Sequence, residues 1–316
     1  MKKILTTIFI LAFVLFTGCL DIFNIGDDNG DIKFQKISEL DSVNSVYFID
    51  NNSGWAYGDS VIYKTDDGGE SWTQENSTIK NIIKLKFVDN SVGWLLTSNS
   101  IYRTTDGGES WNLKKSDIKS NMHNDLFVID KDFCSFSISE NSSMMTTENG
   151  GENWRTDSLP GVGIIIDIQF FDKNEGYVLC VGGQFFHTQN NGQNWDEIEI
   201  DVPFITCIFY LNSEEWFAGN TNMPSSLSAE TSIFNTKNKG RNWTEIDIPK
   251  TSMINKILFI DRNVGYAHCG SFLMKTSNNG SEWEKVDLGE YYPKDMTIAG
   301  DELIILTDDN TILKGK

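Results

Sequence analysis

The chain has little of what usually announces chemistry. Its three histidines, His123, His187 and His268, are scattered without metal-ligand spacing, and its five cysteines include no Cys-x-x-Cys pair. Neither a zinc site nor a thioredoxin-like redox motif is encoded, so no metal and no cofactor is expected. Arginine occurs only at Arg103, Arg155, Arg241 and Arg262, and no long helical period follows the first 18 residues. Positive charge is scarce as well: 26 basic residues face 45 acidic ones, a net charge of −19. Such a surface repels nucleic-acid backbones and anionic membranes, so no nucleic-acid partner is expected.

What the chain has in abundance is one eight-residue turn, Thr-x-(Asp or Asn)-x-Gly-x-x-Trp. The copies are Thr65, Asp67, Gly69, Trp72; Thr104, Asp106, Gly108, Trp111; Thr147, Asn149, Gly151, Trp154; Thr188, Asn190, Gly192, Trp195; Thr236, Asn238, Gly240, Trp243; and Thr276, Asn278, Gly280, Trp283. Successive tryptophans lie 39, 43, 41, 48 and 40 residues apart, the length of one four-stranded propeller blade. Before each box run three short alternating or aromatic segments bounded by Asn, Asp, Ser and Gly, and one more follows it. These read as strands a to d.

A seventh unit begins near Tyr291 and stops after three strands at Thr311 to Lys316. The missing fourth strand is predicted at the other end of the chain, where Ile32 to Ile37 carries Phe34 in place of the box tryptophan. The expected fold is therefore all-β, a seven-bladed β-propeller of four-stranded blades over residues 32–316, closed by pairing of the two ends. Closure removes two sheet edges that would otherwise pair with other chains.

Each box has a structural mechanism. A short polar side chain accepts backbone N–H bonds, glycine supplies positive φ, and tryptophan carries a large apolar surface back between blades. Two copies carry Asp and four carry Asn. An amide replaces a carboxylate as an acceptor but not as an acid, a base or a hard-cation ligand, which assigns Asp67 and Asp106 to the architecture.

These copies resemble the Asp-box, or bacterial neuraminidase repeat, and the single seven-bladed ring resembles the photosystem II stability and assembly factor family. The resemblance covers roughly residues 32–316. It implies a non-catalytic propeller that binds a protein. Asp-boxes also occur in sialidases, xyloglucan-cleaving glycosidases and sortilin-type receptors, so fold likeness alone transfers no chemistry. Sialidases resemble this chain least in the residues that matter: the family's Arg-Ile-Pro segment is absent, and the few arginines do not form a cluster that could grip a carboxylate.

Residues 1–18 read as a secretory leader, with Lys2 and Lys3, an apolar run from Ile4 to Phe16, and Thr17-Gly18 before Cys19. This resembles a bacterial lipobox, with Phe16 where leucine is usual and Cys19 as the lipidated first residue. An ordinary cleaved leader or an uncleaved anchor is the alternative. Leu20 after the cysteine implies an outer-membrane destination. Residues 19–31, including Gly26-Asp27-Asp28-Asn29-Gly30-Asp31, form an acidic, solvated tether. Its acids lack the spacing of a calcium loop, position twelve from Asp27 being Ser38. Cys134, Cys180, Cys207 and Cys269 read as buried thiols on strands, although an oxidising compartment also permits a disulfide.

In a propeller the c-to-d turns share one face, and the d-to-a and b-to-c connections share the other. The boxes therefore decorate the bottom, and a ligand site is expected at the top mouth of the channel. Aligned on strand a, the seven units place Ser45, Lys84, Asp125, Asp167, Thr206, Lys256 and Asp295 in one register, directly before an apolar register running from Val46 to Met296. Alternation points the first set into the channel. Mutually compensating charges in a wet channel and a ligand site are both open readings. The longest insertion, Gly219 to Thr231, lies on the same predicted rim, where an extended loop either contacts a partner or is unconstrained.

The combined expectation is a lipid-anchored, non-catalytic propeller serving as a protein-binding assembly or stability factor in the bacterial cell envelope. Its membrane contact would be the N-terminal lipid alone. The alternative is a carbohydrate-active propeller, either a glycoside hydrolase or a glycan binder, for which Asp125, Asp167 and Asp295 supply carboxylates.

Overall fold

A computed structural model describes residues 33–315, apart from 76–77, 121–123, 139–141, 161–162, 222–230 and 252. Cys19, the leader, the tether, His123 and the middle of the 219–231 insertion lie outside the described residues. The described chain forms seven antiparallel four-stranded sheets. In blade one, strand a is Ser45–Phe48, b is Gly54–Tyr57, c is Ile62–Thr65 and d is Thr73–Gln74. Blades two to six repeat that order.

Blade seven takes its strands from both ends of the chain. Pro293–Ala299, Glu302–Thr307 and Thr311–Gly315 are its strands a, b and c, and Phe34–Glu39 pairs along Thr311–Gly315 as strand d. The register runs from Phe34 opposite Gly315 to Glu39 opposite Thr311, with a bulge between Lys36 and Ser38. Leu40 N–H extends the ladder to the Asn310 carbonyl at 3.1 Å. Phe34 is buried, at 2% exposure, in a cluster with Leu303, Ile305 and Leu313. Across the closing seam, Val46, Phe48 and Ala56 of blade one pack on Ala299, Ile304 and Leu306 of blade seven.

Strand b is the most buried strand because neighbouring blades cover both of its faces. It is buried end to end in blades one, two, four, five and six. This explains the recurrent glycine that opens it. The aromatic ring ending strand a lies over that glycine, so a Cβ at Gly54, Gly93, Gly176 or Gly265 would come within 2.8 Å of Phe48, Phe87, Phe170 or Phe259. In blade five the position is Trp216, facing Tyr210 edge-on at 5.2 Å.

All six boxes share one hydrogen-bond scheme. The threonine hydroxyl donates to the Asp or Asn side-chain oxygen two residues on, at 2.7 Å in Thr104–Asp106 and 3.0 Å in Thr236–Asn238. It also accepts the N–H of the box glycine, and the same Asp or Asn oxygen accepts a backbone N–H four residues further on. Asp and Asn thus do the same work. In the two Asp copies the second oxygen adds a serine hydroxyl, Ser71 or Ser110, at 2.5 Å. These bonds hold the Asp106 carboxyl down at about 2, Ser110 contributing most.

A second recurrent turn lies between strands a and b. Asp50, Asp89, Asp130, Asp172, Asn212 and Asp261 each accept the N–H groups two and three residues on. It is the Asx-turn chemistry of short polar side chains.

Two sequence expectations are modified. The deepest indoles are Trp55, Trp94 and Trp216 of strand b, each fully buried, whereas four of the six box tryptophans are only partly buried. The box indole plugs the rim of an interblade layer whose centre strand b fills. Cys134, Cys180 and Cys269 are buried free thiols, but Cys207 is a partly exposed one facing the channel.

Phe34→Ala should lower stability by about 3 kcal/mol through the cavity it leaves, and deletion of residues 34–39 should lower it further, both read as denaturant midpoints. Trp94→Ala should cost more than Trp111→Ala in the same assay, since only Trp94 is wholly enclosed. Equal losses would remove the distinction between core and rim indoles.

Candidate functional site

The ring leaves an axial cavity of about 660 Å³, and all seven register residues, Ser45, Lys84, Asp125, Asp167, Thr206, Lys256 and Asp295, line it. They reach it because strand a is the innermost strand of each blade. A one-residue bulge precedes the ring position in blades two, four, five and seven. In blade five the expected residue is one place early: Cys207 stands where Lys84 and Asp167 stand in their blades, and Thr206 is the bulge residue before it. The pairing of the following residue fixes the correspondence, since Ile208, Leu85 and Ile168 each face the third residue of strand b. Thr206 turns its hydroxyl to the Gly219 carbonyl at 3.1 Å and to the Ile254 carbonyl, tying blade five to the loop entering blade six.

The charges are arranged pairwise between neighbouring blades. Lys256 Nζ lies 2.8 Å from Asp295 Oδ1, and Lys84 Nζ lies 3.8 Å from Asp125 Oδ1. In both pairs the other carboxylate oxygen accepts a backbone N–H from the next blade, Val46 for Asp295 and Ile168 for Asp125, each at 3.1 Å. Each Lys–Asp unit therefore links three consecutive blades. Burial opposes the Asp295 carboxylate, but Lys256 and the Val46 and Met296 N–H groups outweigh it and hold its pKa below the ordinary value. Burial likewise opposes the Lys84 ammonium, and Asp125 and its neighbours outweigh it.

Asp167 has no such lysine. The next ring position is Cys207, and among the described residues Asp167 accepts a hydrogen bond from the Tyr210 hydroxyl alone, at 3.3 Å. Burial, then repulsion from Asp125, raises its pKa to about 7. One level deeper, Lys86 lies with its Nζ 4.6 Å from the centre of the Tyr47 ring, a cation–π contact. Burial pulls Lys86 down to about 8 against the opposing influence of Asp125. The channel thus contains a carboxyl and an amine that both change charge near neutral pH, which is the property required of proton-transfer groups. Lys86 and Tyr47 escaped the sequence reading because it stopped at one register, although the alternation that placed Lys84 and Ser45 also places the residues two further on.

The mouth expected to be the top carries a second recess, lined by Asn44, Gly58, Asp59, Asn81 and Ser98, that shares Ser45, Tyr57 and Lys84 with the channel. Its walls are d-to-a and b-to-c connections, so channel and rim form one continuous surface there. None of the four arginines lines either space. Arg103 lies near Trp94 and donates to the Lys131 carbonyl, while Arg155 pairs with Asp157 at 2.8 Å and Glu148 at 3.1 Å. Among the described residues no cluster of three or more His, Cys, Asp or Glu is arranged to hold a metal ion.

The family model of the photosynthesis system II assembly factor YCF48 matches residues 74–161. No curated protein matches the chain significantly by sequence. Among solved structures the chain is similar to YCF48 bound to a D1 peptide, with 16% identity and a TM-score of 0.71 over 91% of this chain and 97% of that one. It is similar to YCF48 from Cyanidioschyzon merolae, with 15% identity and a TM-score of 0.69 over 89% and 98%. It is also similar to the GH74 xyloglucanase from Xanthomonas campestris, with 12% identity and a TM-score of 0.69 over 89% of this chain but 53% of that chain. The chain is thus an Asp-box seven-bladed propeller that resembles the assembly-factor family in sequence over one segment and in fold around the whole ring.

The raised Asp167 pKa carries a sign for stability. A carboxyl whose folded pKa lies near 7 against an ordinary value of 3.8 favours the fold while protonated, so its contribution is complete below pH 4 and is lost as pH rises through 7. Asp167→Asn should therefore raise the melting temperature at pH 8 and leave it nearly unchanged at pH 4. The gain should be about 1–2 kcal/mol, because channel water screens part of the cost.

Proposed function

We propose that this chain is a non-catalytic, lipid-anchored propeller of the bacterial outer membrane that binds a protein through its top face and supports the assembly or stability of an envelope complex. The observation that carries the reading is the joint match to one family, a sequence model over residues 74–161 and a likeness that spans 97% of a YCF48 chain described as bound to a D1 peptide. Fold likeness at 16% identity brings no residues with it, so the binding surface is argued from this chain alone. Four of its channel charges are committed to stitching blades. The rim beyond them, with Asn44, Asp59, Asn81 and Ser98, is polar and continuous with the channel. The anchor rests on the leader and on Cys19.

A second reading has one observation in its favour. Asp125 and Asp167 neighbour each other in the channel, and the raised pKa of Asp167 suits a general acid beside a carboxylate. Glycosidases use such a pair.

Crosslinked capture from native envelopes, run beside a polysaccharide hydrolysis screen, separates the two. The docking reading expects one recurrent protein, captured by the native chain and lost when Asp59 and Asn81 are both changed to Arg, whose complex is depleted in a deletion strain. Turnover of a polysaccharide abolished by Asp125→Asn or Asp167→Asn would replace it with the hydrolase reading. Mass spectrometry of the mature N-terminus should show an acylated Cys19, and an unmodified start downstream of it would sink the anchor.

A further inference from the structure

The fifth box differs from the others at three of the four positions the motif leaves open, the second, fourth and sixth of the eight. There it carries Lys237, Lys239 and Arg241. Blades one to three place acids such as Glu70, Glu109 and Glu152 at the sixth position, and blades four and six have only Gln, Asn and Ser at all three. In a chain of net charge −19, three cations on one turn are a local reversal of sign. The fourth position also has left-handed backbone. It is glycine in blades one to three and Asn191 or Asn279 in blades four and six, whereas Lys239 adopts φ of 60° there. A long side chain at that conformation is uncommon, and such departures gather at sites of function.

The turn forms one wall of a cleft of about 450 Å³ on the box face, between blades four and five. Opposite it lies the partly exposed His187 ring, stacked 4.5 Å from and 19° off parallel to a buried Tyr177 that Phe185 covers on its other face, with Ile198 also in the lining. The remaining charged lining is Glu175 and Glu214. Glu175 Oε1 accepts Lys239 Nζ at 2.8 Å and the Tyr177 hydroxyl at 3.1 Å, and lies 3.4 Å from His187 Nε2 without a hydrogen-bonding alignment. Lys237 lines the cleft and lies 3.6 Å from Glu215, which does not. The Arg241 guanidinium has no ion pair or side-chain hydrogen bond among the described residues. The cleft thus joins an unengaged planar cation to an aromatic and apolar wall.

We propose that this cleft binds a small carboxylate carried on an aromatic or apolar body. Arg241 takes the carboxylate through two parallel N–H bonds, Lys237 adds a second positive charge, and the His187 ring, backed by Tyr177, receives the body together with Ile198. The site lies on the face opposite the proposed docking rim and does not depend on that reading.

The test uses the full chain in detergent with benzoate as probe and benzamide, its uncharged isostere, as control, following the ring resonances of His187 and Tyr177. Benzoate should shift both saturably and benzamide should not. The chain supplies its own control: Lys237→Ser, Lys239→Asn and Arg241→Ser together install the residues of box six, which builds the same turn. This variant should bind benzoate at least tenfold more weakly. Arg241→Ser alone breaks no ion pair and keeps the test valid if the triple variant unfolds, and Arg241→Lys should bind between the two. Equal shifts with benzamide, no saturation, or unchanged affinity in folded Arg241→Ser would each overturn the proposal.

Discussion

The structure depends on the pairing of Phe34–Glu39 with Thr311–Gly315. Six blades are each contiguous in sequence and could form from local hairpins, but they bury their faces only against neighbours. Without the seventh blade completed, the apolar surfaces of Ile304, Leu306 and Val46 would lose one side of their packing. A ring has no terminal repeat to cap, so one long-range ladder converts an open stack with two exposed edges into an object with none.

The channel follows from the same geometry. Innermost strands converge on the axis, so side chains at one register meet whatever their chemistry. Lys84–Asp125 and Lys256–Asp295 turn that crowding into interblade links, each carboxylate spending one oxygen on a lysine and the other on a backbone N–H. Where the series breaks, at Cys207, Asp167 is left with a hydroxyl for company and titrates near neutrality. The reactive feature of the channel is thus an interruption of a structural pattern.

The fold was largely legible because the box encodes its own geometry: the threonine, the Asp or Asn, and the glycine are each required by a particular bond or φ. The seven-residue ring was legible through period-two alternation, except in blade five. There the ladder pairs Tyr210 with the first residue of strand b as it pairs Phe48 in blade one, so the residue three places earlier is Cys207 rather than Thr206; Phe209 beside Tyr210, and Trp216 in place of the opening glycine, leave that end of the strand unmarked in the sequence. The a-to-b Asx turns at Asp50 and its equivalents were open to the same repeat comparison that found the boxes. The cleft beside Arg241 was not, because its walls come from two blades and only the cations of one box hinted at it.

The direction of the closing strand has an orientational consequence. Phe34–Glu39 runs as a strand d, and every strand d starts beside the turn that follows strand c, so the polypeptide enters the ring on the side where the boxes lie. A lipid held at Cys19 would tow the molecule from that side. The box surface would hang toward the bilayer like the underside of a moored buoy, and the opposite opening, with Lys84 and Asp125 inside it, would look away from the lipid.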